Sequence, residues 1–149
     1  MLILDTDHLT VIQRRSEPAY SCLRARLREA SHRDVCTTIV SVEEQMRGWL
    51  AVIGRSRRIQ QEIAAYGQLH ALFFFFGHIP ILDFDEPAAE RFIQLRRSRV
   101  RLGSMDLKIA AITLSRGGIL LSRNLADFRR VPELQVEDWT QEKEEREEK

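Results

Sequence analysis

Four short runs of apolar and β-branched residues, LIL at 2–4, VCTTIVS at 35–41, HIPILDF at 78–84 and ILLS at 119–122, are separated by stretches with helical spacing. Strands alternating with helices, and reading as nearly continuous apolar runs, call for a parallel sheet covered on both faces. A last short strand is expected near LQVED at 134–138. The fold class is therefore α/β, with a central, mostly parallel sheet of four to five short strands flanked by helices. The intervening helices are expected over 17–30, 42–54, 57–76, 86–100 and 104–116. Pro18 and Pro87 suit first turns, Ser104 an N-cap, and Gly117-Gly118 a stop. Phe73 to Phe76 are read as packing between helices or across a dimer contact.

Ligands gather at the carboxyl ends of strands in such sheets. Asp5 and Asp7 follow the first strand in LILDTDHL, and Glu43 and Glu44 follow the second, in the expected first turn of the next helix. Asp106 opens the helix beginning SMDLKIAA, and Asp127 follows the fourth strand. Acids far apart in sequence thus converge on one edge of the sheet. An ionised carboxylate is costly to bury unless paired or bound to metal, which makes Asp5, at the end of an apolar strand, the most constrained of them.

Clustered carboxylates raise one another's pKa unless a cation neutralises them. Oxygen ligands without His or Cys partners point to Mg²⁺ or Mn²⁺ rather than zinc. A few acids holding magnesium suit phosphodiester hydrolysis. Each acid also has a purely structural account. Asp7 is read first as a cap for the helix that follows, Glu43, Glu44 and Asp106 as acids favoured by a helix dipole, and Asp127 as a turn cap. Asp5 is hardest to explain this way, because a cap needs no such apolar approach.

Other chemistry is poorly supported. His8, His32, His70 and His78 share no ligand spacing, Ser122 lacks a GxSxG context, and Cys22 and Cys36 stand alone as thiols of a reducing compartment. The apolar run at 72–82 is interrupted by Gly77, His78 and Pro80, too short for a membrane span, and no targeting signal precedes the first strand. A cytoplasmic protein is expected. Only Lys108, Lys143 and Lys149 of the 23 cationic residues are lysines, leaving 20 arginines. Arginine suits phosphate, so the clusters Arg55, Arg57, Arg58 and Arg96, Arg97, Arg99, Arg101 are candidate nucleic-acid phosphate contacts, or else solvated helix faces.

These motifs together resemble the PIN-domain ribonucleases of the VapC toxin type. LILDTDHL is similar to the family's opening, VSVEEQMRG to its second motif with Glu44 four residues before Gly48, and LGSMDLKIAAITLSRGGILLSRN to its third. DFRRVPELQVEDW resembles its C-terminal signature. The resemblance covers residues 1–140 as one PIN-like domain, with 141–149 as a charged tail. It implies a metal-dependent endoribonuclease using Mg²⁺, with Mn²⁺ as a substitute, that cuts tRNA, rRNA or mRNA. It also implies a cognate VapB-type antitoxin whose C-terminal segment covers the site, and a homodimer. Asp5, Glu44 and Asp106 would be the metal ligands. Asn124 stands where many members carry a fourth acid, so Asn124 or Asp127 would orient water or substrate.

Two further readings compete. A haloacid-dehalogenase-like phosphatase would use Asp5 as nucleophile and Asp7 as acid/base, but it needs a lysine, and Lys108 sits awkwardly inside a helix. A PIN-like module that binds RNA or protein without cutting is supported by the missing fourth acid.

Overall fold

The computed structural model describes residues 1–143, so the last six residues of the charged tail lie outside the described residues. Five strands, β1 (Leu2–Leu4), β2 (Val35–Thr38), β3 (Ile81–Leu82), β4 (Ile119–Leu121) and β5 (Gln135–Glu137), form one sheet in the order β3-β2-β1-β4-β5. Every pairing is parallel. The helices are α1 (Thr6–Arg14), α2 (Ala19–Glu29), α3 (Ile39–Arg55), α4 (Ile59–Phe76), α5 (Glu86–Arg97), α6 (Ser104–Arg116) and α7 (Leu125–Phe128). No described helix is long and apolar enough to cross a membrane.

Side chains alternate across β1, and each face has its own core. Ile3 packs with Leu120, Phe92, Ile109 and Phe128 on the α5–α6 side. Leu2 and Leu4 pack with Leu9, Leu23, Leu72, Phe76 and Trp139 on the other. The register decides what happens next. Leu4 lies opposite both Thr37 and Leu121, so Asp5, Thr38 and Ser122 leave the sheet side by side. The Asp5 N–H still donates to the Leu121 carbonyl at 2.9 Å, extending the pairing one residue past β1.

Several boundaries depart from expectation. The β-branched run VCTTIVS does not stay extended: Thr38 Oγ1 accepts the Ser41 N–H at 3.1 Å, and α3 begins at Ile39. A local cap therefore overrides β propensity. Glu43 and Glu44 consequently fall in the second turn of α3, where the N-terminal dipole does not account for them. Gly103, not Ser104, occupies the N-cap of α6, and Ser104 is its first residue. HIPILDF contributes only two strand residues. The phenylalanine run divides: Phe75 and Phe76 face the core, while Phe73 and Phe74 are exposed. Gly117 does end α6, in the left-handed conformation (φ 63°) that glycine tolerates.

Thr38→Val keeps the shape of this buried residue but removes the acceptor for the Ser41 N–H. It is expected to cost about 1 kcal/mol in urea unfolding, and to loosen the start of α3, read as faster amide exchange at Ser41.

Candidate metal and catalytic centre

Asp5 is the N-cap of α1. Its Oδ1 accepts the Thr6 N–H at 2.8 Å and its Oδ2 accepts the Ser122 hydroxyl at 2.7 Å. The expectation that Asp7 caps this helix is thus corrected: α1 starts one residue after β1, leaving the cap position to Asp5. Asp5 is only 6% exposed. Burial, then repulsion from Asp7, pushes its pKa up to about 7 against the opposing hydrogen bonds, with Glu44 adding to the rise.

Glu44 reaches the same edge from α3. Thr6 Oγ1 donates to its Oε2 at 2.6 Å, so the residue after Asp5 also orients Glu44. Burial raises the Glu44 pKa, and Asp106, Asp7 and Glu43 add to that against the Thr6 hydrogen bond. Asp106 comes from the first turn of α6; burial, then Asp127 and Asp7, raise its pKa. Three carboxylates from three elements therefore share one electrostatic neighbourhood. Glu43 instead turns outward to Arg47, 2.8 Å away.

Asn124 and Asp127 meet in the turn after β4, where the Asn124 amide donates to Asp127 Oδ2 at 3.1 Å. Asp127 also lies 3.6 Å from Arg130. Asp127 is near enough to Asp106 to contribute to its raised pKa. The two arginine clusters differ in position. Arg55, Arg57 and Arg58 sit at the α3–α4 junction, roughly 16 Å along α3 from Glu44. Arg99 and Arg101 lie in the connection that delivers the start of α6, and the Arg101 carbonyl accepts from Arg130 Nη1 at 3.3 Å. Arg96 lies over the Phe92 ring, 5.1 Å from its centroid, and Arg97 ends α5.

Thr6 and Ser122 were not singled out from the sequence as partners of the acids. Their roles depend on strand register and helix entry, which leave no local signature. Ser122 is fully buried, with its hydroxyl committed to Asp5, consistent with its lack of a nucleophile motif.

The donor set suits a hard cation. Among the described residues, no basic side chain pairs with Asp5, Glu44 or Asp106. Burial and mutual repulsion leave their charges under-compensated. Among the described residues, no three His, Cys, Asp or Glu side chains close into a ready-made cage. An open set of carboxylates still fits Mg²⁺, which keeps several waters and needs few protein ligands.

Comparison with known families matches the PIN domain over residues 2–134. The chain belongs to the PIN domain family. Among curated relatives, the tRNA(fMet)-specific endonuclease VapC of Salmonella typhimurium is 35% identical over 69 residues, covering 44% of this chain and 52% of that protein. Ribonuclease VapC2 of Haemophilus influenzae is 36% identical over 69 residues, with the same coverage of 44% and 52%. The chain thus spans about half the length of these curated relatives. The DNA-bound VapBC structure from Salmonella typhimurium superimposes with a TM-score of 0.71 at 26% identity, covering 93% of this chain and 97% of that one. FitAcB from Neisseria gonorrhoeae shares the fold with a TM-score of 0.65 at 19% identity, covering 93% and 98%. The PIN fold thus accounts for the five-stranded parallel sheet.

The raised Asp5 pKa has a consequence for stability. The folded state holds the Asp5 proton more tightly than the unfolded chain, so stability falls as pH rises from about 4 through about 7. Asp5→Asn removes the charge, keeps an acceptor for the Thr6 N–H and can keep the Ser122 contact only by reversing it, its amide N–H donating to the Ser122 oxygen. It is expected to raise the metal-free melting temperature near pH 8, with little change near pH 4, by circular dichroism. Added Mg²⁺ or Mn²⁺ should stabilise the wild type at pH 8 but not Asp5→Asn.

Proposed function

We propose that this PIN-domain protein is a metal-dependent endoribonuclease, the toxin of a toxin–antitoxin pair. The carrying observation is the convergence of Asp5, Glu44 and Asp106 on one sheet edge, without a protein counter-cation among the described residues. These three would hold Mg²⁺, or Mn²⁺ in its place. Such an ion polarises a phosphoryl oxygen and acidifies water. Asp127 would complete the acidic set from the far side of Asp106. Asn124 would steer it through their shared hydrogen bond, replacing the charge that many family members carry at that position.

The chain's own residues supply orientation. Thr6 ties Asp5 and Glu44 together, and Ser122 fixes the other Asp5 oxygen. Arg99, Arg101 and Arg130, beside the acidic edge, would hold flanking phosphates, with Arg96 and Arg97 next along α5. Such contacts position RNA without reading its sequence. Arg55, Arg57 and Arg58 are too remote to touch the scissile phosphate and would meet a distal part of a large RNA. Structured RNA, tRNA foremost by the name of the Salmonella typhimurium relative, is the proposed substrate class, cut in an exposed loop where bases are unstacked.

A VapB-type antitoxin, a homodimer and a cytoplasmic setting complete the proposal. Solved neighbours described as VapBC complexes support the antitoxin. The exposed apolar face of α4, with Ile59, Ile63, Tyr66, Phe73 and Phe74, supports a protein partner.

The phosphatase reading is disfavoured. Lys108 lies 5.8 Å from the ring centroids of Phe84 and Phe92, committed to an aromatic surface. Asp7 already accepts from His8 and the Arg123 N–H, which ill suits an acid/base.

Purified, antitoxin-free protein is expected to cut total cellular RNA into discrete fragments with Mg²⁺ or Mn²⁺, and not with EDTA. Asp5→Ala and Asp106→Ala should reduce cleavage to background, while Asp7→Asn lowers it only partly; complete loss in Asp7→Asn would favour the phosphatase chemistry. Folded wild type that binds RNA with Mn²⁺ yet leaves it intact would favour the binding module. Asn124→Asp is expected to raise the rate or tighten Mn²⁺ binding, measured by calorimetry.

A further inference from the structure

His8 is fully buried and both of its ring nitrogens are engaged. The Trp139 backbone N–H donates to Nε2 at 3.2 Å, so Nε2 acts as an acceptor and the ring hydrogen resides on Nδ1. Nδ1–H in turn donates to Asp7 Oδ1 at 2.7 Å. Adjacent helical residues do not ordinarily face one another, so the surroundings impose this pairing.

Asp7 passes the constraint across the sheet edge. Its Oδ2 accepts the Arg123 N–H at 2.9 Å and lies 3.3 Å from Ser122 Oγ. Ser122 gives its hydroxyl proton to Asp5 Oδ2 at 2.7 Å and accepts the Asn124 N–H at 3.1 Å. Hydrogen bonds thus run from the segment after β5, through His8 and Asp7, to the Arg123 N–H, and the backbone of that turn carries the adjacent Ser122, which donates to Asp5.

The far end of this set is anchored independently. Trp139 is 6% exposed and packs in the core beneath Leu2 and Leu4. Arg26 of α2 stacks on its ring, 4.8 Å from the centroid, and donates to the carbonyls of Asp138 at 3.1 Å and Gln141 at 3.2 Å. Asp138 Oδ1, 3.8 Å from His8 Nε2, accepts instead from the Thr140 N–H and hydroxyl. Residues 138–141 form a strap whose Trp139 N–H sets the His8 tautomer.

We propose that His8 is a positioning residue for the acidic centre, transmitting the placement of this C-terminal strap to Asp7 and thereby holding Ser122 on Asp5 and Asn124 beside Asp127. The inference rests on Asp5 being the acid of the site. A ring that donates at Nδ1 and accepts at Nε2 does what no aliphatic residue can do here. It satisfies a buried backbone N–H and fixes the Asp7 carboxylate.

Two isosteric variants separate the two ends of the ring. His8→Asn can place an amide N–H where Nδ1–H was but does not reach Trp139; His8→Gln can place an acceptor where Nε2 was but withdraws the donor from Asp7. With initiator tRNA as the RNA probe, His8→Gln and His8→Leu are expected to lower kcat about 10–100-fold at nearly constant KM, and to weaken Mn²⁺ binding in calorimetry. His8→Asn should recover most of kcat despite losing as much thermal stability as His8→Gln. Equal kcat in all folded variants, or losses that track melting temperature rather than the Asp7 donor, would overturn the proposal.

An amide-shift arm is independent of activity. Asp5→Asn should shift the Trp139 backbone amide in the His8 protein but not in a His8→Leu background. A Trp139 amide indifferent to Asp5→Asn overturns the strap. Absence of both cleavage and Mn²⁺ binding in wild type with that shift intact overturns the nuclease reading instead.

Discussion

The burial of β1 between two parallel neighbours is the constraint on which the rest of the structure depends. Leu2, Ile3 and Leu4 are almost wholly removed from water, with one core above the sheet and another below. A strand held on four sides cannot slide, because a one-residue slip would exchange its two apolar faces. Its end is therefore fixed relative to the ends of β2 and β4. Whatever follows Leu4 must emerge between Thr38 and Ser122. The protein puts a carboxylate there.

That carboxylate has two roles with opposing energetics. As a helix cap, Asp5 satisfies the Thr6 N–H and helps α1 turn away from the sheet. As a buried charge surrounded by Asp7 and Glu44, it is held at a pKa near neutrality, a cost to the metal-free fold. Unfavourable charge of this kind is characteristic of sites that bind something. Thr6 and Ser122 set the geometry, and under the proposed function a bound Mg²⁺ would supply the compensating charge.

The surrounding architecture keeps that geometry while leaving the edge open. The Thr38 cap fixes where α3 begins and so which turn presents Glu44, while α6 starts after Gly103 and presents Asp106 in its first turn. Arg26, Trp139 and His8 tie the end of the domain back onto its beginning. The start of the chain and residues 138–141 thus meet behind the acids, so a disturbance near residue 139 can be felt at residue 5. The exposed apolar face of α4 stands apart from this machinery.

The sequence by itself determined the α/β class, the parallel sheet and the edge on which the acids collect, because these follow from strand and helix periodicity and from where polar residues interrupt apolar runs. The family motifs were legible as residue types at spacings that resemble those of PIN-domain proteins. Only the tertiary structure decided which acid caps α1, since one residue of helix entry separates Asp5 from Asp7. It also decided that Glu44 lies in a second turn, because the Thr38 cap outcompetes a β-branched strand. The partners Thr6, Ser122 and His8 were invisible in the chain order. Their hydrogen bonds join residues as far apart as 8 and 139, and such distances close only when register and packing are complete.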